Sequence, residues 1–118
     1  MKKLLQTNNL SKTYVQTQGF FSRVRTNIHA LDNVSFSINQ GTTMAVVGES
    51  GSGKSTLAKS LVRLVNLDKG SVSFNGIDLL NLEGEKLKSV RKDIQMIFQD
   101  PYASLNPRLS ILQIMEEP

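Results

Sequence analysis

The fold of this 118-residue chain is decided by residues 48–56, which read Gly48-Glu49-Ser50-Gly51-Ser52-Gly53-Lys54-Ser55-Thr56. They fit the pattern G-x-x-x-x-G-K-[ST], in which a glycine-rich backbone cradles phosphate groups. The apolar, β-rich run from Thr42 to Val47 precedes them and predicts a buried strand. After them, apolar residues recur at three- and four-residue spacing from Leu57 to Val65, which predicts one face of a helix. A strand, a glycine-rich loop and a helix in this order predict a nucleoside triphosphate site.

Each residue type in this loop suits the binding of phosphate. The amides of residues 51–55 can converge on a β-phosphate as an anion nest, helped by the dipole of the next helix. The Lys54 ammonium suits the β- and γ-phosphates, and the Ser55 hydroxyl can ligate Mg²⁺. Thr56 offers a further hydroxyl or amide to the α-phosphate, whereas Glu49 is expected to be solvated rather than to act as a base. Glycine-serine runs also form plain flexible loops, but such a loop has no reason to place Gly-Lys-Ser at a helix start.

The composition excludes several classes of protein. A content of 39% hydrophobic and 20% charged residues is ordinary for a soluble globular domain. The chain has no cysteine, so disulfides and thiolate metal sites are excluded. No apolar stretch reaches the length of a membrane span, so we expect any membrane contact to be peripheral or through a partner. The net charge of +4 is too small and too scattered to select one anionic partner.

The segments before the loop predict strands. Residues from Leu4 to Val15 predict an early strand that ends near Tyr14. Residues 16–27 break the pattern and predict a loop insertion of basic and aromatic character. The alternation from Ala30 to Ile38 predicts a half-buried strand.

The segments after the predicted helix mix turns, strands and helices. Asp68 begins a predicted turn, and Asn75-Gly76 predicts a hairpin that joins residues 71–74 to residues 77–80. A short surface helix is predicted for residues 85–92, a second apolar strand for residues 94–98, and a last helix capped by Ser110. The class predicted from this pattern is α/β with an antiparallel β subdomain.

Several of these segments together resemble the ATP-binding-cassette (ABC) transporter ATPases. Residues 48–56 resemble their Walker A loop, residues 30–36 the strand before it, and residues 70–76 the hairpin after the Walker helix. Residues 95–101 resemble the strand that leads into the Q-loop. Residues 100–108 are similar to the Q-loop continuation of oligopeptide and dipeptide importer ATPases. The resemblance covers nearly the whole chain and implies a P-loop NTPase core.

The resemblance also implies roles for single residues. Tyr14 falls where the family stacks an aromatic ring on adenine, although a tyrosine there can also cap a strand edge. Gln99 matches the Q-loop glutamine, which joins the Mg²⁺ shell and senses the γ-phosphate; otherwise it is an ordinary polar residue at a strand end. Lys54 and Gln99 are thus the implied catalytic residues, and Ser55 and Gln99 the implied metal ligands. The residues implied to contact a membrane subunit, unless they only form a turn, are Tyr102, Leu105 and Pro107.

Some motifs of the family do not occur in these 118 residues. They are the Leu-Ser-Gly-Gly-Gln signature, the Walker B aspartate with the catalytic glutamate, and the switch histidine; His29 precedes the Walker loop and is interpreted as structural or exposed. We therefore interpret residues 1–118 as the N-terminal part of one ABC nucleotide-binding domain, truncated before the helical subdomain and the Walker B strand. Without partner strands, an apolar edge from Met44 to Val47 is expected to be exposed and prone to self-association.

These inferences predict the ATP-binding part of an ABC importer subunit at the cytoplasmic face of the cell membrane. The full-length protein is expected to hydrolyse Mg-ATP and to drive uptake of peptides or similar small solutes. The implied partners are transmembrane permease subunits, a second ATPase subunit and, indirectly, a solute-binding protein, with no nucleic acid. The 118-residue chain alone is expected to bind ATP with little hydrolysis. Two alternatives stay open: a soluble ABC-type ATPase that acts on nucleic acid, and a non-catalytic, truncated nucleotide-binding product.

Overall fold

Four antiparallel strands form one sheet in the computed structural model, which describes residues 2–17, 25–100 and 105–116. The elements in chain order are β1 (Lys3–Thr17), β2 (Arg25–Asn39), α1 (Lys54–Leu61), β3 (Lys69–Phe74), β4 (Ile77–Asp78), α2 (Gly84–Asp93) and α3 (Ile111–Glu116). The strand order is β2-β1-β3-β4, so β1 has a partner on each side. No helix in the described ranges is long and apolar enough to cross a membrane.

The buried core lies where this sheet meets α1 and the segment after β4. Its fully or nearly buried apolar members are Leu10, Leu31, Leu57, Val72 and Leu79. Thr7 is the polar exception inside the sheet, and its hydroxyl is satisfied on β2: it accepts the Phe36 amide at 3.0 Å and donates to the Phe36 carbonyl at 3.3 Å. Because its hydrogen bonds are made within the sheet, this buried hydroxyl does not carry the penalty of an unpaired polar group.

The hairpin predicted at Asn75-Gly76 is confirmed. Both residues have positive φ, 50° and 83°, as the tight hairpin turn requires. The returning strand β4 is shorter than predicted and contains only Ile77 and Asp78. The chain leaves β4 because the Asp78 carboxylate accepts the Leu80 amide at 2.9 Å, which closes a local turn.

The two short helices after the hairpin are also confirmed. Helix α2 has no buried residue, as expected of a surface helix. Helix α3 begins with a reciprocal cap: the Gln113 amide donates to the Ser110 hydroxyl at 3.3 Å, and the Ser110 amide donates to the Gln113 side chain at 2.9 Å.

The two buried strands predicted at residues 42–47 and 94–98 are wrong. Neither segment has regular secondary structure, and their side chains are largely exposed, Val47 by 88% and Ile97 by 97%. The physical reason is that a strand needs a neighbour for its amides and carbonyls, and no strand of the described sheet pairs with either segment. The expected exposure of the run from Met44 to Val47 is therefore confirmed, whereas its self-association stays a prediction.

Two boundaries also differ from the sequence-based expectation. Helix α1 ends at Leu61 rather than continuing to Val65, because Arg63 takes a left-handed φ of 55°; Leu64 is consequently 53% exposed. Strands β1 and β2 extend into the predicted insertion, since Gln16 pairs with Thr26. Backbone pairing does not require apolar side chains, so periodicity gives no signal there. The rest of that insertion, residues 18–24, lies outside the described residues.

Candidate functional site

Glycine 53 joins the loop of residues 48–56 to the sheet. Gly53 is the N-cap of α1 with φ of 94°, and a Cβ atom there would lie 2.1 Å from the Ala30 carbonyl oxygen on β2. Only glycine tolerates both this φ and this approach. The start of α1 is therefore set directly against the backbone of β2, so the sheet fixes where the loop ends and the helix begins.

The turn before Gly53 closes on itself. Gly51 also has a positive φ, 81°, and the Ser52 amide donates to the Glu49 carbonyl at 3.2 Å. We predicted the Ser52 amide as one donor of an anion nest; in this structure it has an acceptor inside the loop. Glu49 contributes its backbone here, and its side chain is exposed, as expected.

The Lys54 ammonium spans the mouth of the loop. It donates to the carbonyl oxygens of Gly48 at 2.7 Å and Glu49 at 2.6 Å, and to the Ser52 hydroxyl at 3.3 Å. These partners are neutral, and Lys54 forms no ion pair with any carboxylate in the described part of the chain. The ammonium is thus held in place by neutral partners, without a direct ion pair.

The first turn of α1 adds hydrogen-bond donors at the same place. The first amide of this helix to find a backbone acceptor is that of Leu57, which donates to the Gly53 carbonyl at 2.8 Å. The amides at the start of an α-helix have no intrahelical acceptor and carry the positive end of its dipole. Lys54, Ser55 and Thr56 occupy this first turn. An ammonium and a helix N-terminus side by side form a site suited to a polyanion.

Gln99 lies on the same cavity as the loop. A cavity of about 750 Å³ is bordered by Lys54, Ser55 and Gln99, which are the predicted catalytic and metal-binding residues. Its other borders come from α1 and from the two exposed segments around residues 46 and 96–100. Most of them are apolar and two are charged: Val46, Ala58, Lys59, Met96, Ile97, Phe98 and Asp100. The fold brings the predicted catalytic and metal-binding side chains around one space, although Gln99 follows no strand.

Tyr14 lies on a second, smaller hollow of about 260 Å³ that also borders the loop. This hollow is bordered by Tyr14, Ile28 and Ala30 of the β1–β2 hairpin and by residues 51–56. The Tyr14 side chain is half-exposed, at 40%. Lys54 and Ser55 border both hollows, so an elongated ligand can contact the tyrosine and the glutamine from the same loop.

The protein oxygens at this site can bind Mg²⁺ only together with oxygens of a bound ligand. Within the described ranges, no group of three histidine, cysteine, aspartate or glutamate residues could hold a metal ion. Ser55 and Gln99 offer one hydroxyl and one amide oxygen to the larger cavity. Mg²⁺ characteristically keeps several waters and completes its octahedral shell with phosphate oxygens, so two protein oxygens suffice beside a triphosphate.

Sequence reasoning missed two contributors to the site. Ile28 and Ala30 line the smaller hollow, and the Ala30 carbonyl sets the position of Gly53. The only available signal was the position of these residues on a strand predicted to precede the loop. Of the predicted partner contacts, Leu105 and Pro107 are exposed, and Tyr102 lies outside the described residues.

Comparison with known proteins assigns the chain to a family. The model of the family described as "ABC transporter" matches residues 31–116. The chain belongs to the ABC transporter family. Among its relatives, "Oligopeptide transport ATP-binding protein AppF" of Bacillus subtilis (strain 168) is 47% identical over 116 residues, which cover 98% of this chain and 35% of that protein. "Glutathione import ATP-binding protein GsiA" of Escherichia coli (strain K12) is 45% identical over 115 residues, which cover 98% of this chain and 18% of that protein.

Solved structures give the same assignment. The dimeric structure of MJ0796, a bacterial ABC transporter cassette, matches with a TM-score of 0.72 and 30% identity over 91% of this chain and 43% of that one. A dimeric post-hydrolysis state of the same cassette, bound to ADP and Pi, matches with a TM-score of 0.62 and 29% identity over 75% of this chain and 35% of that one. The predicted ABC ATPase fold class is confirmed. The chain thus spans about a third, or less, of the length of the two named relatives.

Proposed function

We propose that this chain binds Mg-ATP at the loop of residues 48–56, as part of an ABC ATPase. The observation that carries the proposal is the Lys54 ammonium, held by neutral partners beside the N-terminus of α1. A ligand with several negative charges would exchange the neutral carbonyl partners of Lys54 for phosphate oxygens, which form stronger, charge-assisted hydrogen bonds. The assignment to the ABC transporter family and the ADP and Pi bound by a structural relative support ATP as that ligand.

The proposed roles divide along the two hollows. Lys54 and the first-turn amides hold the phosphates, and the Ser55 hydroxyl with the Gln99 amide oxygen completes the Mg²⁺ shell. Tyr14 stacks on the base, because a planar ring offers dispersion contact to another planar ring. When bound, Mg²⁺ would supply charge neutralisation at the phosphates. Lys54 and Gln99 are the residues that we propose to act on the terminal phosphate.

Calorimetry of Mg-ATP binding tests the site. We expect Lys54→Ala to weaken binding at least about tenfold, because a charge-assisted hydrogen bond to phosphate is lost. Lys86→Ala on the surface helix α2 is the charge-matched control and should bind as the wild type. Equal ATP binding by the Lys54→Ala and wild-type chains would overturn the proposal.

We propose further that residues 1–118 belong to one nucleotide-binding domain, whose full-length form hydrolyses ATP for uptake of peptides or similar small solutes. The named functions of the relatives, oligopeptide transport and glutathione import, support this solute class. The dimeric structural relatives support a second ATPase subunit as partner. Transmembrane permease subunits and a peripheral position at the cytoplasmic face complete the proposal, with a solute-binding protein as an indirect partner.

Phosphate release separates binding from catalysis. Phosphoryl transfer to water requires an oriented nucleophile besides metal and charge neutralisation. Lys54, Ser55 and Gln99 address the last two, so we expect the 118-residue chain to bind ATP with little or no turnover. Robust phosphate release that disappears in Lys54→Ala would contradict this expectation. Salt-sensitive DNA binding of comparable affinity would instead favour an ATPase that acts on nucleic acid.

A further inference from the structure

We propose that Asp68 is a positioning residue for the base-binding half of the site, because it fixes Lys12 against the Tyr14 ring. This inference rests on the proposed function and assigns a role to residues outside the phosphate loop. Asp68 follows α1 in the chain and belongs neither to the loop nor to either hollow described above. It acts through its neighbours and touches no proposed ligand group.

Asp68 contacts three consecutive residues immediately before Tyr14. Its carboxylate accepts the Lys12 ammonium at 2.9 Å and the Thr13 amide at 2.7 Å, one on each oxygen. Its own amide donates to the Ser11 carbonyl at 2.9 Å. Both carboxylate oxygens and the backbone are thus used to hold one stretch of β1, the stretch that leads into the tyrosine.

These contacts of Asp68 lie at the point where the pairing of β1 with β3 ends. The pairing of β1 with β3 stops at Ser11 and Lys69, after a register irregularity. Beyond Ser11, β1 pairs only with β2, where Thr13 lies opposite His29 and Tyr14 opposite Ile28. Asp68 therefore supplies, on the β3 side, the last attachment before Tyr14. Without it, the strand segment that carries the ring would be held along one edge only.

Lys12 connects Asp68 to the Tyr14 ring. Its ammonium lies over the Tyr14 ring, 5.5 Å from the centroid, and its side chain is only 17% exposed. A cation at this distance from an aromatic face is attracted by the ring quadrupole, more strongly when water is partly excluded. The ion pair with Asp68 keeps the ammonium there. Tyr14 also borders the hollow next to residues 51–56, so a base must use the ring surface that Lys12 leaves open.

The charge state of the carboxylate suits this role. The hydrogen bond from the Thr13 amide, followed by that from the Lys12 side chain, holds the pKa of Asp68 below its ordinary value. Asp68 is therefore ionised throughout the neutral range. A base that stacks on a ring already fixed in place does not have to order it on binding, so its affinity rises through pre-organisation.

The test compares two ligands on the complete 118-residue chain: Mg-ATP, which has a base, and Mg-tripolyphosphate, which has none. By calorimetry we expect Asp68→Asn to weaken ATP about three- to tenfold, through loss of an ion pair and of ring order, and to leave tripolyphosphate unchanged. Lys12→Met keeps the bond between Asp68 and Thr13, and it should also weaken ATP alone. Asp32→Asn, an exposed aspartate on β2, is the matched control and should change neither ligand.

The outcomes separate this inference from the proposed site. If Asp68→Asn weakens the binding of both ligands equally, or of neither, the inference is overturned. The dependence of ATP binding on Lys54 would still support the proposed site. A wild-type chain that binds neither ligand removes the proposed function and this inference with it. If the Asp68→Asn chain does not fold, the contact can be tested by fluorescence. The chain has two tyrosines and no tryptophan, so in a Tyr102→Phe background the tyrosine emission comes from Tyr14 alone. The spectrum is then compared with and without Lys12→Met. An emission spectrum unaffected by Lys12→Met would then overturn the contact on which the inference depends.

Discussion

Two regions of this molecule have similar apolar, β-prone sequences, but only one of them forms strands and is buried. The sheet formed by β1 to β4 buries Leu10 and Val72 almost completely. The segments 44–47 and 94–98 are no less apolar, yet they form no strand in the described structure and leave Val47 and Ile97 almost fully exposed. The difference is the partner: each strand of the sheet has a neighbour within the described chain, and the two segments have none.

The comparison shows what apolar composition does and does not determine. An apolar run predicts that a segment will be buried once something covers it, but the ladder of backbone hydrogen bonds has to come from another strand. The functional loop lies between the two regions. Gly53 attaches it to β2 of the ordered sheet, while Val46 and Phe98 of the exposed segments border its larger cavity. The contact that fixes the helix end of the loop is therefore made by the first region.

The largest expected effect is the contrast in stability between the two regions. Leu10→Ala, in the sheet core, should lower the free energy of unfolding by about 2–5 kcal/mol, since it leaves a cavity. Val47→Ala, at an 88% exposed position, should change it by no more than about 0.5 kcal/mol. Urea unfolding followed by circular dichroism measures both. A similar cost for both variants would mean that the segment 44–47 is covered in solution.

The attachment of the loop to the sheet gives the next largest effect. Gly53→Ala places a methyl group 2.1 Å from the Ala30 carbonyl at a φ of 94°, so strain and overpacking together should cost about 2 kcal/mol or more. Gly51→Ala also meets a positive φ but open space, and should cost only about 1 kcal/mol. Unfolding curves with Mg-ATP calorimetry compare the two. If Gly51→Ala proves the more costly, the loop is not set against β2.

Features with a local cause were the more predictable from the sequence. The Asn75-Gly76 turn, the Ser110 cap and the phosphate loop are local signals, because the residues that cause each feature lie within a few positions of one another. The strand predicted at residues 42–47 failed because its cause is non-local. The role of Asp68 could not be predicted for the same reason: its partner Lys12 lies 56 positions earlier, and the residue alone predicts only a turn.

The site shows the same division between local and non-local causes. Lys54 and Ser55 are predictable from the motif because loop and helix are contiguous. Their shared cavity with Gln99 is a product of tertiary structure, and so is the hollow shared with Tyr14. For these two residues only the family resemblance gave a signal.

Self-association of the chain tests whether the exposed apolar segments without a strand partner are the ones that associate. We expect Ile97→Lys to raise the concentration at which the chain associates by about tenfold, because one large apolar side chain contributes about 1.5–3 kcal/mol when buried. Ile111→Lys on α3 replaces a side chain that is also exposed, by 78%, and should have less effect. Analytical ultracentrifugation over a concentration series measures both. Equal effects would show that association does not select the segments without a strand partner.

The smallest expected effect is a pH dependence of stability that comes from Asp68, at the end of the pairing between β1 and β3. The pKa of Asp68 is lowered in the folded chain, chiefly by the Thr13 amide and then by Lys12. A lowered folded pKa stabilises the protein at every pH above the unfolded value and is lost as pH falls through the folded value. Asp68→Asn stays neutral throughout, so the stability difference from the wild type should be constant near neutral pH and should close below about pH 4.

Thermal unfolding of both proteins across this range measures the difference. A difference that stays constant down to about pH 3 would mean that the ionised Asp68 carboxylate contributes nothing to stability. The attachment of β1 before Tyr14 would then depend on the β2 side, and the ordered region would need no tie from Asp68.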